Sequence, residues 1–300
     1  MARPDHWSKN IFMFPGVAIA YLETDISIIQ LLQPLTLGFI ATCLIASANY
    51  VLNEFLDAQF DRFHPSKKNR PAVRENISGK IVSIEYVGLM LAGFGLASFI
   101  NAKFMLTLAF LGICGLLYNV KPLRLKDLVY VDVLFESLNN VIRLLLGWFI
   151  VTVILVPPSS LMIAFWMAGA FLMASKRLAE YRQFNDPELA GQYRRSFRYY
   201  TERSLLMSSI FYAITFAFTF GIFLFKYRIE YILTFPMFSA LFVWYLGIAM
   251  EPHSSVQNPE KLYKEKWLMI YIVIIVMFIF VLSFVDIPIL KKMLQFEYYK

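Results

Sequence analysis

Residues 49–74 read NYVLNEFLDAQFDRFHPSKKNRPAVR, and this stretch decides how the rest of the chain is read. It begins at the end of a long apolar run and sets Asn53, Asp57 and Asp61 four residues apart, so on a helix the three side chains project from nearly one face. Lys67, Lys68, Arg70 and Arg74 follow at once. Two carboxylates and an amide are hard-oxygen ligands. Magnesium prefers such oxygens and shares its coordination with waters and substrate phosphates. Carboxylates at this spacing beside basic residues also occur as plain solvated helix ends held by salt bridges. The location argues against that, because an ionisable residue adjoining an apolar span is costly and points by default to function. The expectation is a magnesium diphosphate site at a membrane surface, with Asn53, Asp57 and Asp61 as the metal ligands.

Working outward, the chain of 300 residues is 59% hydrophobic, carries 29 Phe and has a mean hydropathy of +0.59. That is far above a soluble domain and indicates an all-α, polytopic membrane protein. Apolar runs of spanning character lie at 11–22, 34–56, 81–100, 104–120, 131–156, 159–178, 205–225, 231–250 and 267–285, which makes nine expected spans. No cleavable signal pattern opens the chain, so its N-terminus reads as retained. Of the 28 Lys and Arg, 21 fall on the side of the N-terminus and the loops after the even-numbered spans; 6 fall on the other side and Arg143 lies within a span. The positive-inside rule makes the first side cytoplasmic and, with nine spans, puts the C-terminus outside. No linker or low-complexity segment divides the chain, so residues 1–300 read as one membrane domain. Cys43 and Cys114 sit in apolar runs as small buried hydrophobes, and His6, His64 and His253 are too scattered for a metal cluster.

Two further polar regions belong to the same side. After the sixth expected span, Lys176, Arg177, Glu180 and Arg182 emerge directly from apolar sequence, and seven Lys and Arg occur between Lys176 and Arg203. Anionic lipid head groups alone would account for such a loop. Yet Lys176 and Glu180 lie one turn apart, mirroring Asn53 and Asp57, as a cleft closed by two loops requires. Within the fifth span, Asp132, Glu136, Asn139, Asn140 and Arg143 form a polar stripe at helical spacing, which in lipid must face protein or a wet cavity. A structural polar network between helices would also explain it. Just before that span, YNVKPLRLKD adds Tyr118, Asn119, Lys121, Arg124 and Lys126. Three basic loops around one acidic helix end suit a polyanionic substrate.

These residues resemble a known family. NEFLDAQFDRFHPSKKNRP, residues 53–71, is similar to the first aspartate-rich motif of the UbiA superfamily of intramembrane prenyltransferases. Its continuation through Asp61, Arg62, His64, Pro65, Lys67, Arg70 and Pro71 resembles the decaprenyl-phosphate phosphoribosyltransferase branch, as do RPDHWSKN, YNVKPLRLKD, ASKRLAEY and NPEKLYKEKW elsewhere. Glu54 stands where the family usually has Asp. Lys176, Arg177 and Glu180 replace the second aspartate motif of aromatic prenyltransferases, which argues against a second magnesium cluster and a prenyl diphosphate donor. The resemblance implies about nine helices around a central cavity. It implies magnesium-dependent transfer of 5-phosphoribosyl from phosphoribosyl diphosphate to a polyprenyl phosphate, with no nucleic-acid partner and with a homo-oligomer left open. Asn53, Asp57 and Asp61 would act with Lys176 in catalysis, and Glu54 would support the metal. Lys67, Arg70, Arg74, Tyr118, Lys121, Arg124, Arg143, Arg177 and Glu180 would bind substrate, at the cytoplasmic face of an inner membrane. The competing expectations are an aromatic prenyltransferase of quinone or haem biosynthesis and a transporter or lipid-binding protein.

Overall fold

The helix that carries the motif begins at Ser27, whose Oγ accepts from the Ile29 amide at 3.3 Å while Gln30 Oε1 accepts from the Ser27 amide at 3.3 Å. This reciprocal cap satisfies amides that a helix start leaves without partners. From there α2 (Ile28–Asp61) runs for 34 residues. At about 1.5 Å per residue it is roughly 50 Å long, well beyond the ~30 Å of bilayer hydrocarbon. Its last turns, with Asn53, Asp57 and Asp61, therefore stand at the aqueous boundary.

In the computed structural model, residues 1–63, 67–75, 77–184, 187–251, 254–257 and 259–294 are described. His64 and Pro65 of the motif lie outside these residues, as do His253 and Asn258. The described chain is helical: α1 (Phe14–Leu22), α2, α3 (Pro71–Arg74), α4 (Gly79–Ala97), α5 (Ala102–Asn119), α6 (Val131–Val151), α7 (Ser159–Gln183), α8 (Pro187–Tyr193), α9 (Glu202–Tyr227), α10 (Phe235–Met250), α11 (Lys266–Leu282) and α12 (Pro288–Leu294). Among the described residues seven helical segments are long and apolar enough to cross a membrane: α2, α4, α5, α6, α7, α9 and the segment Ile229–Met250 that contains α10. The other two expected spans are shorter than the sequence suggests. Residues Pro4–Met13 wind as a 3-10 helix that Trp7 and Asn10 tie to α2, and α1 follows with 9 residues. The last apolar helix, α11, has 17 residues.

The chain forms two compact units, Met1–Pro157 with Phe184–Ser204, and Pro158–Gln183 with Leu205–Lys300. In the first, α2 packs on α4 and α5 through small residues such as Ala41, Ala46 and Ala48, and Ile45 and Phe104 fill its fully buried core. α1 lies on α6 at a backbone-to-backbone approach: a Cβ on Gly147 would overlap the Met13 carbonyl oxygen, and one on Gly16 the Leu144 carbonyl oxygen. Asn101 caps α5, accepting from the Phe104 amide at 2.8 Å, and its Nδ2 donates to the Phe149 carbonyl of α6 at 2.7 Å. Ile84 and Leu91 on α4 stay exposed, as expected of a lipid-facing helix side.

In the second unit α7, α9 and α10 share an aromatic core. Phe242 stacks on Phe171 at 4.4 Å and on Phe216 at 4.6 Å between ring centres. Part of the phenylalanine content is thus packed core, not only lipid face. Arg228 donates to the Leu282 carbonyl at 2.8 Å and Tyr231 pairs with Ser283 at 2.8 Å, tying α11 to the start of the Ile229–Met250 segment.

Candidate active site at the end of the second helix

The end of α2 is where acid and base meet. Asp57 Oδ1 accepts from Lys126 Nζ at 2.6 Å and from Arg124 Nη2 at 2.7 Å. Lys126 also donates to Asn119 Oδ1 at 2.7 Å, and Asn53 Nδ2 donates to the same oxygen at 2.6 Å. Asn119 is the last residue of α5, so the turn between α5 and α6 delivers an amide and two cations to one face of α2. One turn on, Asp61 Oδ2 accepts from Arg70 Nη1 at 2.5 Å. Asp61, Asn119, Arg124 and Lys126 are all buried. A burial this deep requires the charges to be paired.

Electrostatics follow from that packing. Burial disfavours the Lys126 ammonium and Arg124 repels it; Asp57 restores only part of the loss, so its pKa falls from 10.5 to about 8. Burial also works against Arg70, but the Asp61 carboxylate outweighs it and the guanidinium ends above its ordinary value. Phe60, between the two aspartates in sequence, offers its ring to Arg124 at 4.8 Å and to Arg195 at 5.4 Å. Lys67 donates to the Tyr193 hydroxyl and lies 4.7 Å from that ring's centre. The segment after α8 is anchored by fully buried Asp132, which accepts from Tyr200 at 2.8 Å, Arg194 at 3.2 Å and Ser196 at 3.4 Å.

The expected site residues fall into groups. Asn53, Asp57, Asp61, Lys67, Arg70 and Arg124 come together in the first unit. Arg74 is exposed and donates to Asn69 at 2.6 Å; Lys121 is exposed on its turn. Glu54, seven residues before Asp61, lies on the Asp61 side of that face, where its charge acts on Arg70 and its carboxylate accepts from the Ala72 amide at 3.5 Å, at the start of α3. Tyr118 donates to Glu136 at 2.7 Å. Arg143 donates to Asn10 at 2.8 Å and to the Asn139 carbonyl at 3.3 Å. Lys176, Arg177 and Glu180 belong to the second unit, on α7, where Arg177 and Glu180 are buried and paired at 3.0 Å and Lys176 is half-buried. Sequence reasoning did not assign Lys126, Asn119, Tyr193 or Arg194 to the site. Polar residues clustered in YNVKPLRLKD were the signal for the first two; Arg194 looked like any other cation in a basic loop.

The donor chemistry around Asp57 and Asp61 fits magnesium. All the groups are hard oxygens. The contacts among described residues use Asp57 Oδ1 and Asp61 Oδ2, and two carboxylates with one amide leave coordination positions for water and phosphate oxygens. Among the described residues no cluster of three or more His, Cys, Asp or Glu offers a self-sufficient protein cage.

Comparison with known proteins decides the family. The model of the UbiA prenyltransferase family matches residues 11–264. The chain belongs to that family. Nodulation protein NoeC of Azorhizobium caulinodans is 32% identical over 63% of this chain and 60% of its own length. Decaprenyl-phosphate phosphoribosyltransferase of Mycolicibacterium smegmatis is 29% identical over 59% of this chain and 55% of its own length. Protoheme IX farnesyltransferase 1 of Bacillus cytotoxicus is 26% identical over 61% of each. The match thus spans about six tenths of the length of these relatives. A UbiA homologue from Archaeoglobus fulgidus, solved with DMAPP and Mg2+, superposes with a TM-score of 0.70 at 20% identity, covering 95% of this chain and 98% of that one. The fold is UbiA-like, and the chain is an integral membrane protein.

Proposed function

We propose that this UbiA-family chain transfers 5-phosphoribosyl from phosphoribosyl diphosphate to a polyprenyl phosphate and releases diphosphate, at the cytoplasmic face of an inner membrane. The observation that carries the reading is the buried meeting of Asp57 and Asp61 with Arg124, Lys126 and Arg70 at the mouth of α2. Cations held against carboxylates are matched to an anionic ligand that arrives with its own divalent ion. Magnesium held by Asn53, Asp57 and Asp61 would supply Lewis acidity and a template for the leaving diphosphate.

The protein's own groups do the rest. Arg70 and Arg124 offer forked, bidentate donors to phosphate oxygens, and Lys67 and Lys126 offer point charges. As the bond from the anomeric carbon to diphosphate breaks, charge grows on the leaving oxygens and the sugar takes on oxocarbenium character. Preorganised cations lower that barrier. The acceptor phosphate is already ionised and needs no strong base; it must be positioned. The pairing of Glu180 with Arg177 supports a phosphoribosyl over a prenyl donor, because it engages the carboxylate that stands in the place of a second aspartate motif.

The test is release of diphosphate from phosphoribosyl diphosphate by the purified chain with magnesium. Release that requires polyprenyl phosphate supports the reading. Release from a prenyl diphosphate with an aromatic acceptor would replace it with the quinone- or haem-type activity, and release from neither donor would remove the enzyme reading.

A further inference from the structure

Arg143 is a cation inside an apolar span with no carboxylate at ion-pair distance among the described residues. It lies on α6 and is 7% exposed. Its Nε donates to Asn10 and its Nη1 to the Asn139 carbonyl, both neutral, and among the described residues no Asp or Glu comes within ion-pair distance. Glu136, two turns back on the same helix face, accepts from Tyr118 instead. The Glu136 carboxylate acts on Arg143 only from beyond ion-pair distance, and a buried charge without a close partner is expensive in a membrane, where such residues pair or serve a ligand.

Its neighbours are also uncommitted. The side-chain amides of Asn139 and Asn140, one turn before Arg143, make no hydrogen bond among the described residues, and both residues are only partly buried. Arg143 Nη2 makes none either. The Nη1 bond to Asn139 shows the side chain folding back one turn toward the start of α6, as helical side chains do. Its charge therefore lies about 10 Å along the helix from Asp132. Three sets of N–H donors, one of them charged, gather on one polar face at that depth.

We propose that Arg143, Asn139 and Asn140 form a second anion subsite, for a phosphate monoester, deeper in the span than the diphosphate site. The subsite itself stands on Arg143 and its neighbours; only the identity of the monoester rests on the transferase reading, which supplies two sources. One is the head group of the polyprenyl phosphate acceptor and the other is the 5-phosphate of the donor. Asn10 is the positioning residue: fully buried, it holds Arg143 Nε and donates to Cys43 Sγ at 3.1 Å.

The experiment is equilibrium binding to the full chain in detergent micelles, with farnesyl phosphate, ribose 5-phosphate and magnesium diphosphate as separate probes. Arg143→Gln should weaken one monoester by about tenfold or more, with Arg143→Lys recovering part of the loss and magnesium diphosphate affinity unchanged. Asn140→Leu removes an amide that holds nothing in the fold and should weaken the same monoester, which keeps the test alive if Arg143→Gln does not fold. A loss confined to farnesyl phosphate assigns the acceptor; a loss confined to ribose 5-phosphate assigns the donor. Unchanged affinities for both monoesters in a folded variant, or no binding of either by the wild-type chain, overturns the subsite. Failure of magnesium diphosphate to bind would overturn the transferase reading and leave the subsite standing.

Discussion

Replacing Lys126 with methionine tests the electrostatics of the α2 mouth without any substrate. The wild-type ammonium is 4% exposed, and its pKa falls from 10.5 to about 8. Keeping it charged in the fold thus costs about 3 kcal/mol relative to the unfolded chain. The sign follows from proton counting. Between pH 8 and 10.5 the unfolded chain binds more protons than the folded one, so stability must rise across that window as the cost is relieved; below pH 8 the full cost is present. For a chain of this size the rise is worth roughly 5 °C in melting temperature. Lys126→Met keeps a side chain of similar length and removes the titration, so its share of the rise disappears. Below pH 8 two effects oppose each other. The variant escapes the burial cost, yet it withdraws one donor from Asp57, which keeps Arg124, and one from Asn119 Oδ1, which keeps Asn53. Thermal unfolding of both proteins in detergent with EDTA, from pH 7 to 10.5, measures this without interference from a metal on Asp57. Parallel curves for the two proteins would refute the argument, because the rise would then belong to other groups.

The remaining expectations concern the site and its supports. Asp57→Ala and Asp61→Ala should each bring transfer to background while the protein still inserts and elutes as a single species; normal turnover in either variant removes that residue from the metal site. Asp132→Asn withdraws the buried charge that holds Arg194 at 3.2 Å, at a cost of about 2–3 kcal/mol. Hydrogen exchange should then quicken in 194–200 and not in α4. Gly147→Leu drives a side chain into the Met13 carbonyl and should lower stability by about 3 kcal/mol or block accumulation in the membrane; unchanged melting would mean that α1 and α6 do not meet there.

Sequence alone determined the class of this molecule and the helix end on which the candidate site is built. Hydropathy and the four-residue spacing of Asn53, Asp57 and Asp61 are local properties, and the bilayer turns them into helices and an acidic helix end with little help from the rest of the chain. Even the polar stripe from Asp132 to Arg143 was legible, since a period of 3.6 residues is written along one segment. Tertiary structure alone decided the pairings. That Asp57 meets Arg124 and Lys126, and not Lys121, depends on how the α5–α6 turn is carried onto α2, across 67 and 69 residues of sequence. That Glu54 serves α3, that Asp132 anchors the segment after α8, and that Arg143 bonds to Asn10 and the Asn139 carbonyl depends equally on which helices touch. The short N-terminal helix belongs with these. Its apolar content suggested a span, but Trp7 and Asn10 hold it on α2 through contacts 33 and 40 residues away in the chain. Composition places a residue on a helix face, whereas only the packing of helices chooses the atom across from it.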